Sequence, residues 1–213
     1  MDKELVSSHL LETAACLGNI EECSRLVKIE GAFVDGGISP WNSTGAIPLH
    51  LAVQGGHEKL VQVLVKDLGA AVDAVNSRGL TACAIAVPEG QISMVQLLVQ
   101  DLDANPNVPD MRGRTPMYVA AMNGQCAIVK LLLEAGANPN VASINGRTPA
   151  YVAAQEGHLS VIRTLGEHSA DFDLPDQEGR TPVFVAAMWG NTPVLRVLTL
   201  TFGADVTVVD HNG

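Results

Sequence analysis

The chain is poor in positive charge and in aromatic rings. Thirteen Lys and Arg stand against 23 Asp and Glu, a net charge of −10, and aromatic residues make up 4% of 213 positions. DNA and RNA are held by cationic side chains that displace counterions, so this balance argues against a nucleic-acid partner. No run of about 18 apolar residues occurs, so no membrane-inserting helix is expected. The start, Met1-Asp2-Lys3-Glu4, lacks the apolar core of a signal peptide. The four cysteines, at 16, 23, 83 and 126, form no C-x-x-C, so neither a zinc-ligand set nor a redox dithiol can be read from their spacing. G-x-x-x-x-G-K-[ST], H-E-x-x-H, G-x-S-x-G and G-x-G-x-x-G are all missing, which removes the phosphate cradle, the zinc pair and the nucleophile elbow. The chain is therefore expected to belong to a reducing compartment, cytoplasmic or nuclear, to be no enzyme, and to carry no cofactor and no metal.

What is present is a period. Gly113-Arg114-Thr115-Pro116, Gly146-Arg147-Thr148-Pro149 and Gly179-Arg180-Thr181-Pro182 recur every 33 residues. Each precedes a near-identical segment, Met117-Tyr118-Val119-Ala120-Ala121, Ala150-Tyr151-Val152-Ala153-Ala154 and Val183-Phe184-Val185-Ala186-Ala187, and then a glycine at 124, 157 or 190. Gly56 and Gly90 hold the same phase, and Gly18 lies 38 residues before Gly56, the surplus falling in Phe33 to Ser43. A fixed period of this length marks a stacked-repeat architecture.

Each unit decodes physically. Thr115 suits an N-cap, and Pro116 suits the first helical position, where a missing N–H is harmless. The helix that follows is short and Ala-rich, so a neighbour can approach closely, and Gly124 ends it with positive φ. A second helix from near Gln125 carries Ile128, Val129, Leu131, Leu132 and Leu133, with Lys130 and Glu134 on its wet face. Gly136-Ala137 closes it, and Asn138-Pro139-Asn140 to Asn145-Gly146 reads as an extended arm with a turn.

These residues resemble the ankyrin repeat, whose pattern is D-x-x-G-x-T-P-L-H-x-A-A-x-x-G-H, an apolar helix, then G-A-x-x-N. Gly45, Pro48-Leu49-His50-Leu51-Ala52 and Gly56-His57 carry the pattern in the second unit; Asp110, Gly113, Thr115-Pro116 and Gly136-Ala137 carry it in the fourth. The resemblance implies an all-α ankyrin-repeat solenoid of about six helix-loop-helix units with short β-hairpin-like arms, over 1–41, 42–75, 76–109, 110–142, 143–175 and 176–209, with 210–213 opening a further, truncated unit. The first unit looks like a capping repeat.

Departures from the pattern carry their own expectations. The consensus His survives only as His50 and becomes Ala84, Tyr118, Tyr151 and Phe184, whose rings are expected to pack between units. Units one, two, three and six hold one extra residue before the closing Ala, and Pro88 should distort its helix end. The Arg114, Arg147 and Arg180 column is expected to pair within the array. His57 and His158 are read as structural hydrogen-bonding residues. In the fifth unit Gly166 stands inside a helix and Ser169 replaces the usual glycine, so this unit should be the weak seam, with amides exchanging faster than those of the fourth.

By resemblance, the expected function is non-catalytic protein–protein interaction. A protein or peptide partner, basic in view of the charge, would be bound by a monomer through the arm tips and the groove-lining helix ends. Carried over by position, the arm-tip candidates are Trp41, Arg78, Met111, Arg112 and Ile144. The groove candidates are Met122, Asn123, Gln155, Glu156, Met188 and Trp189. The alternative expectation is a regulatory or targeting N-terminal segment of a larger enzyme, channel or effector whose active domain follows Gly213.

Overall fold

Alanine-rich and leucine-rich helices alternate along the chain. The computed structural model describes residues 3–35, 44–208 and 210. Among them are twelve α-helices and no strand, in two compact units, Met1–Asn105 and Pro106–Gly213. The first unit holds α1 (Lys3–Cys16), α2 (Ile20–Lys28), α3 (Pro48–Gln54), α4 (Glu58–Lys66), α5 (Ala82–Ala86) and α6 (Ile92–Gln96). The second holds α7 (Pro116–Met122), α8 (Cys126–Glu134), α9 (Pro149–Glu156), α10 (Leu159–Glu167), α11 (Pro182–Met188) and α12 (Thr192–Leu200). In the first, α3 packs on α1, α4 and α5; in the second, α9 packs on α7, α10 and α11. Leu11, Leu49 and Leu64 form the core of one unit and Met117, Leu132 and Ile162 that of the other, all fully buried.

The inner helices start as their sequence dictates. The hydroxyls of Thr81, Thr115, Thr148 and Thr181 accept from the amides of Ala84, Tyr118, Tyr151 and Phe184 at 3.2, 3.3, 3.2 and 3.4 Å, and proline opens α7, α9 and α11. Their ends are fixed by glycine for two separate reasons. Gly124 has φ +69°, and a Cβ there would lie 2.7 Å from the His158 ring; Gly18 stands in the same relation to His57. Those rings hydrogen-bond back to the helix ends, His57 Nε2 to the Cys16 carbonyl and His158 Nε2 to the Met122 carbonyl, each at 3.0 Å. Asn191 replaces histidine in the last pair, and its Nδ2 donates to the carbonyls of Ala154 and Gln155 at 2.8 Å. Pro88 has the expected effect: α5 has five residues where α7 has seven.

The extra residue of four units is absorbed by one device. Ala137 and Ala170 close their units with amides bonded five residues back, to Leu132 and Leu165. Ala32, Ala70, Ala104 and Ala204 bond six back, to Leu26, Leu64, Leu98 and Leu198. Each of those four turns is widened by an i→i−5 bond just before the alanine, as from Leu68 to Val63 and from Phe202 to Val197. In the third unit the widening becomes a π-helical turn, Leu97–Asp101. The core leucines therefore keep their phase and the surplus is extruded at the helix end.

Two faces differ in chemistry. On α2, Glu22 and Arg25 stand where α8 has Ile128 and Leu131; Arg25 pairs with Glu22 at 2.6 Å and with Glu30 at 2.5 Å. A polar face of this kind needs no neighbour. On the outer side of α11 and α12, by contrast, an open apolar cavity of about 710 Å³ is lined by Phe184, Met188, Leu195, Leu200 and Val206 among others. Gly166 stands inside α10 as expected, and Phe202, whose ring centroid is 5.0 Å from that of Phe172, packs over it.

Candidate partner-binding surface

The arms that precede the inner helices are turns built on one residue. Asp110 Oδ1 accepts from the amides of Arg112 and Arg114 at 2.8 and 2.9 Å, and Oδ2 accepts from Arg114 Nε and Nη2 at 2.9 and 2.7 Å. Asp176 repeats the pattern with Glu178 and Arg180, and Asn76 supplies the amide half of it to Arg78 and Leu80. Burial pushes the Asp110 and Asp176 carboxyls up, but the arginine and amide donors more than offset this and hold both below the usual aspartate range. The arms are joined by single backbone bonds, Ser77 to Thr44 in the first unit and Ile144 to Arg112 and Gln177 to Asn145 in the second. The expected hairpin-like arms are thus tight turns without strand ladders among the described residues.

Behind the arms runs a relay that the sequence reading missed. Asp35 accepts from the Ala71 amide and Asp73 from Asn105; in the other unit Asn107 accepts from Asn138, Asn140 from Asp171, and Asp173 from Asp205. Every acceptor is Asp or Asn, at spacings of 33 to 38 residues, a signal present in the sequence but carrying meaning only once successive loops lie side by side.

Of the aromatic replacements, Tyr118 and Tyr151 are buried, whereas Phe184 is half-buried and lines the open cavity. His50 is buried, with Nε2 bonded to the Ala74 carbonyl at 2.9 Å, and its burial lowers its pKa from the usual imidazole value. Tyr118 lies beside Ser143 and Tyr151 beside Asp176, so each tyrosine sits against the following arm, whereas His50 bonds the Ala74 carbonyl in its own unit. Burial and the neighbouring Asp176 carboxylate push Tyr151 up to about 12. The arginine column pairs within the array, Arg114 with Asp110 and Arg180 with Asp176 at 2.7 Å and Arg147 more loosely with Asp176 at 3.6 Å, and Arg147 also lies 5.3 Å over the Tyr151 ring.

The candidate contact residues divide by exposure. Trp41 lies outside the described residues. Arg78 is exposed on an arm of the first unit. In the second unit Met111 (73% exposed), Arg112 and Ile144 (60%) stand on adjacent arms, and Asn123, Glu156 and Trp189 (60%) are exposed at inner-helix ends. Met122 and Gln155 are half-buried, and Met188 turns to the cavity beside α12. Among the described residues no cluster of His, Cys, Asp and Glu could hold a metal ion, and no helix is long and apolar enough to cross a membrane.

Comparison with known proteins agrees with this construction. The family description "Ankyrin repeats (3 copies)" matches residues 68–143 and 137–210, and "Ankyrin repeat" matches 44–77. No curated protein matches the chain in sequence. Among solved structures it is similar to the ankyrin repeat domain of Bcl-3, described as a unique member of the IkappaB protein family, at 27% identity and a TM-score of 0.84, covering 95% of this chain and 90% of that one. Capped inner helices, glycine loops closed by histidine or asparagine, arm turns and matched family descriptions converge: the chain belongs to the ankyrin repeat family.

Proposed function

We propose that the chain is a non-catalytic module that binds a protein or peptide through its arm tips and the helix ends beside them. Ankyrin repeats are generally protein–protein interaction modules, and that general role is this family's. The observation that supports the finer reading is the exposure of Met111, Ile144 and Trp189, large apolar side chains held on braced turns and helix ends with no core role. Such residues anchor partners when a rigid frame presents them. Arg112, Asn123, Gln155 and Glu156 supply polar contacts around them, Met122 and Met188 add apolar area, and Arg78 offers a contact on the first unit. The net charge of −10 favours a basic partner, and the protein acts as a monomer in the cytoplasm or nucleus.

The test is affinity capture with residues 1–213, compared with a Met111→Ser, Ile144→Ser, Trp189→Ser chain whose helicity and melting temperature are shown to be unchanged. A partner held by the first and released by the second, with affinity falling as salt rises, supports the reading. Equal capture by both chains overturns the assignment of the surface.

A further inference from the structure

The fifth arm breaks the pattern of its neighbours at one residue. Where the fourth and sixth arms begin with Asp110 and Asp176, the fifth begins with Ser143. Its backbone turn is the same: the Ser143 amide donates to the Arg147 carbonyl at 2.9 Å, as Asp110 does to Arg114 and Asp176 to Arg180, at the same distance. The donors that converge on a carboxylate in those two arms are present too. They are the amides of Asn145 and Arg147 and the Arg147 guanidinium. None of them has an acceptor at Ser143, whose side chain lies beside that of Tyr118. Arg147 Nε is buried without a hydrogen-bond partner, and its nearest carboxylate oxygen, on Asp176, is 3.6 Å away, too far for a hydrogen bond. Asp176 is already bound by both Nε and Nη2 of Arg180.

An anionic group is therefore missing from a cradle built for one. A partner's acidic side chain cannot supply it, because the orphan nitrogen is buried. A group attached in place to the Ser143 oxygen can. Ser143 is half-buried and is followed by the exposed Ile144 and Asn145 at the arm tip, within reach of a modifying enzyme.

We propose that Ser143 is a phosphorylation site, and that the phosphate takes the place in the fifth arm that Asp110 and Asp176 hold in theirs. In the modification, the Ser143 Oγ attacks the terminal phosphorus of a nucleoside triphosphate bound by a protein kinase. The bond from that phosphorus to its bridging oxygen breaks, the nucleoside diphosphate leaves, and the hydroxyl proton passes to the kinase's base. The phosphate carries a charge near −2 and three acceptor oxygens. It accepts from Arg147, draws it away from Asp176, and takes up the two arm amides. The new charge lies next to Ile144, so the modification alters the arm tip's chemistry whether or not that tip is where a partner binds.

The test installs phosphoserine at position 143 of the full chain and titrates it by phosphorus NMR. Paired with Arg147, the phosphate's second pKa falls by about one unit below the value near 6 of free phosphoserine, and Arg147→Gln restores it. The melting temperature rises on phosphorylation, and Ser143→Asp, which repeats the neighbouring arms, raises it as well. In parallel, nucleoside triphosphate and a panel of serine/threonine kinases label Ser143, and Ser143→Ala loses that label. A free-phosphoserine titration, a lowered melting temperature in both modified chains, or labelling confined to other residues overturns the proposal. None of these readouts requires a binding partner.

Discussion

The Phe202 ring lies over Gly166 in the space that a side chain there would fill. By helix propensity Gly166→Ala in α10 should stabilise by about 1 kcal/mol. Packing reverses the sign. A Cβ at this position meets the ring, which is itself held against Phe172, so the substitution is expected to destabilise by about 1–3 kcal/mol. Urea denaturation measures it. Adding Phe202→Leu should recover most of the loss, and a stabilised single mutant would show that the contact carries no constraint. The same contact weakens the case for a fifth unit that exchanges faster than the fourth, a comparison that amide exchange decides directly.

Ser169 is the residue of the fifth unit that does lie under strain. It stands at φ +63°, where Gly136 of the fourth unit has φ +83° and open space where a Cβ would lie. Left-handed backbone costs a residue with a Cβ about 1 kcal/mol relative to glycine. Ser169→Gly is expected to raise stability by about that amount, and Gly136→Ser to lower it by the same. A melting series on the two single variants and the exchange pair checks both signs. The Ser169 carbonyl, which accepts from Asn140 Nδ2 at 3.3 Å, is unaffected by either change.

Local chemistry was the legible part of this chain. Thr-Pro caps, loop glycines and the apolar stripe of α8 act within one turn of helix, so their spacing alone implies their geometry. Three features escaped, the first because its partner lies a whole unit away and the other two because local spacing does not fix them. Asn191 does the work of His158 although it shares no motif letter with it. The i→i−5 turns were visible only as a surplus residue, with nothing to say whether a loop or the helix would absorb it. Met188 was placed with Met122 by position in the repeat, yet the two differ in surroundings, since Met188 faces the cavity on the α12 side.

The Asx relay should be energetically uneven along its length. Asn140 is held at both ends, its Oδ1 accepting from the Asp171 amide at 2.8 Å and its Nδ2 donating to Ser169. Asp73 makes the first kind of bond only, to the Asn105 amide. Asn140→Ala is expected to cost about 1–2 kcal/mol and Asp73→Ala about 1 kcal/mol or less, because water reaches both sites. Asn140→Asp separates the two bonds of Asn140: it keeps the acceptor and loses the donor, so an intermediate loss is expected in chemical denaturation. Equal losses for Asn140→Ala and Asn140→Asp would assign the whole effect to the amide donor.

Acid should unfold the second unit partly through Asp176. Its side chain has no exposure, and Arg180 binds its charged form through the guanidinium and the backbone amide. The folded pKa is therefore depressed below the ordinary aspartate value of 3.8. In the interval between the two values the unfolded chain binds more protons than the folded one, so stability rises with pH there. The contribution is complete above the unfolded value and disappears as pH falls through the folded one. Asp176→Asn removes the titration and leaves Arg180 with Glu178 as its remaining carboxylate, 2.5 Å away. It is expected to cost about 3 kcal/mol near neutral pH and to flatten the stability profile between about pH 5 and pH 2. Urea midpoints of both chains across that interval check the sign. Parallel profiles would mean that Asp176 is protonated to the same extent in both states, and that Arg180 is placed by packing alone.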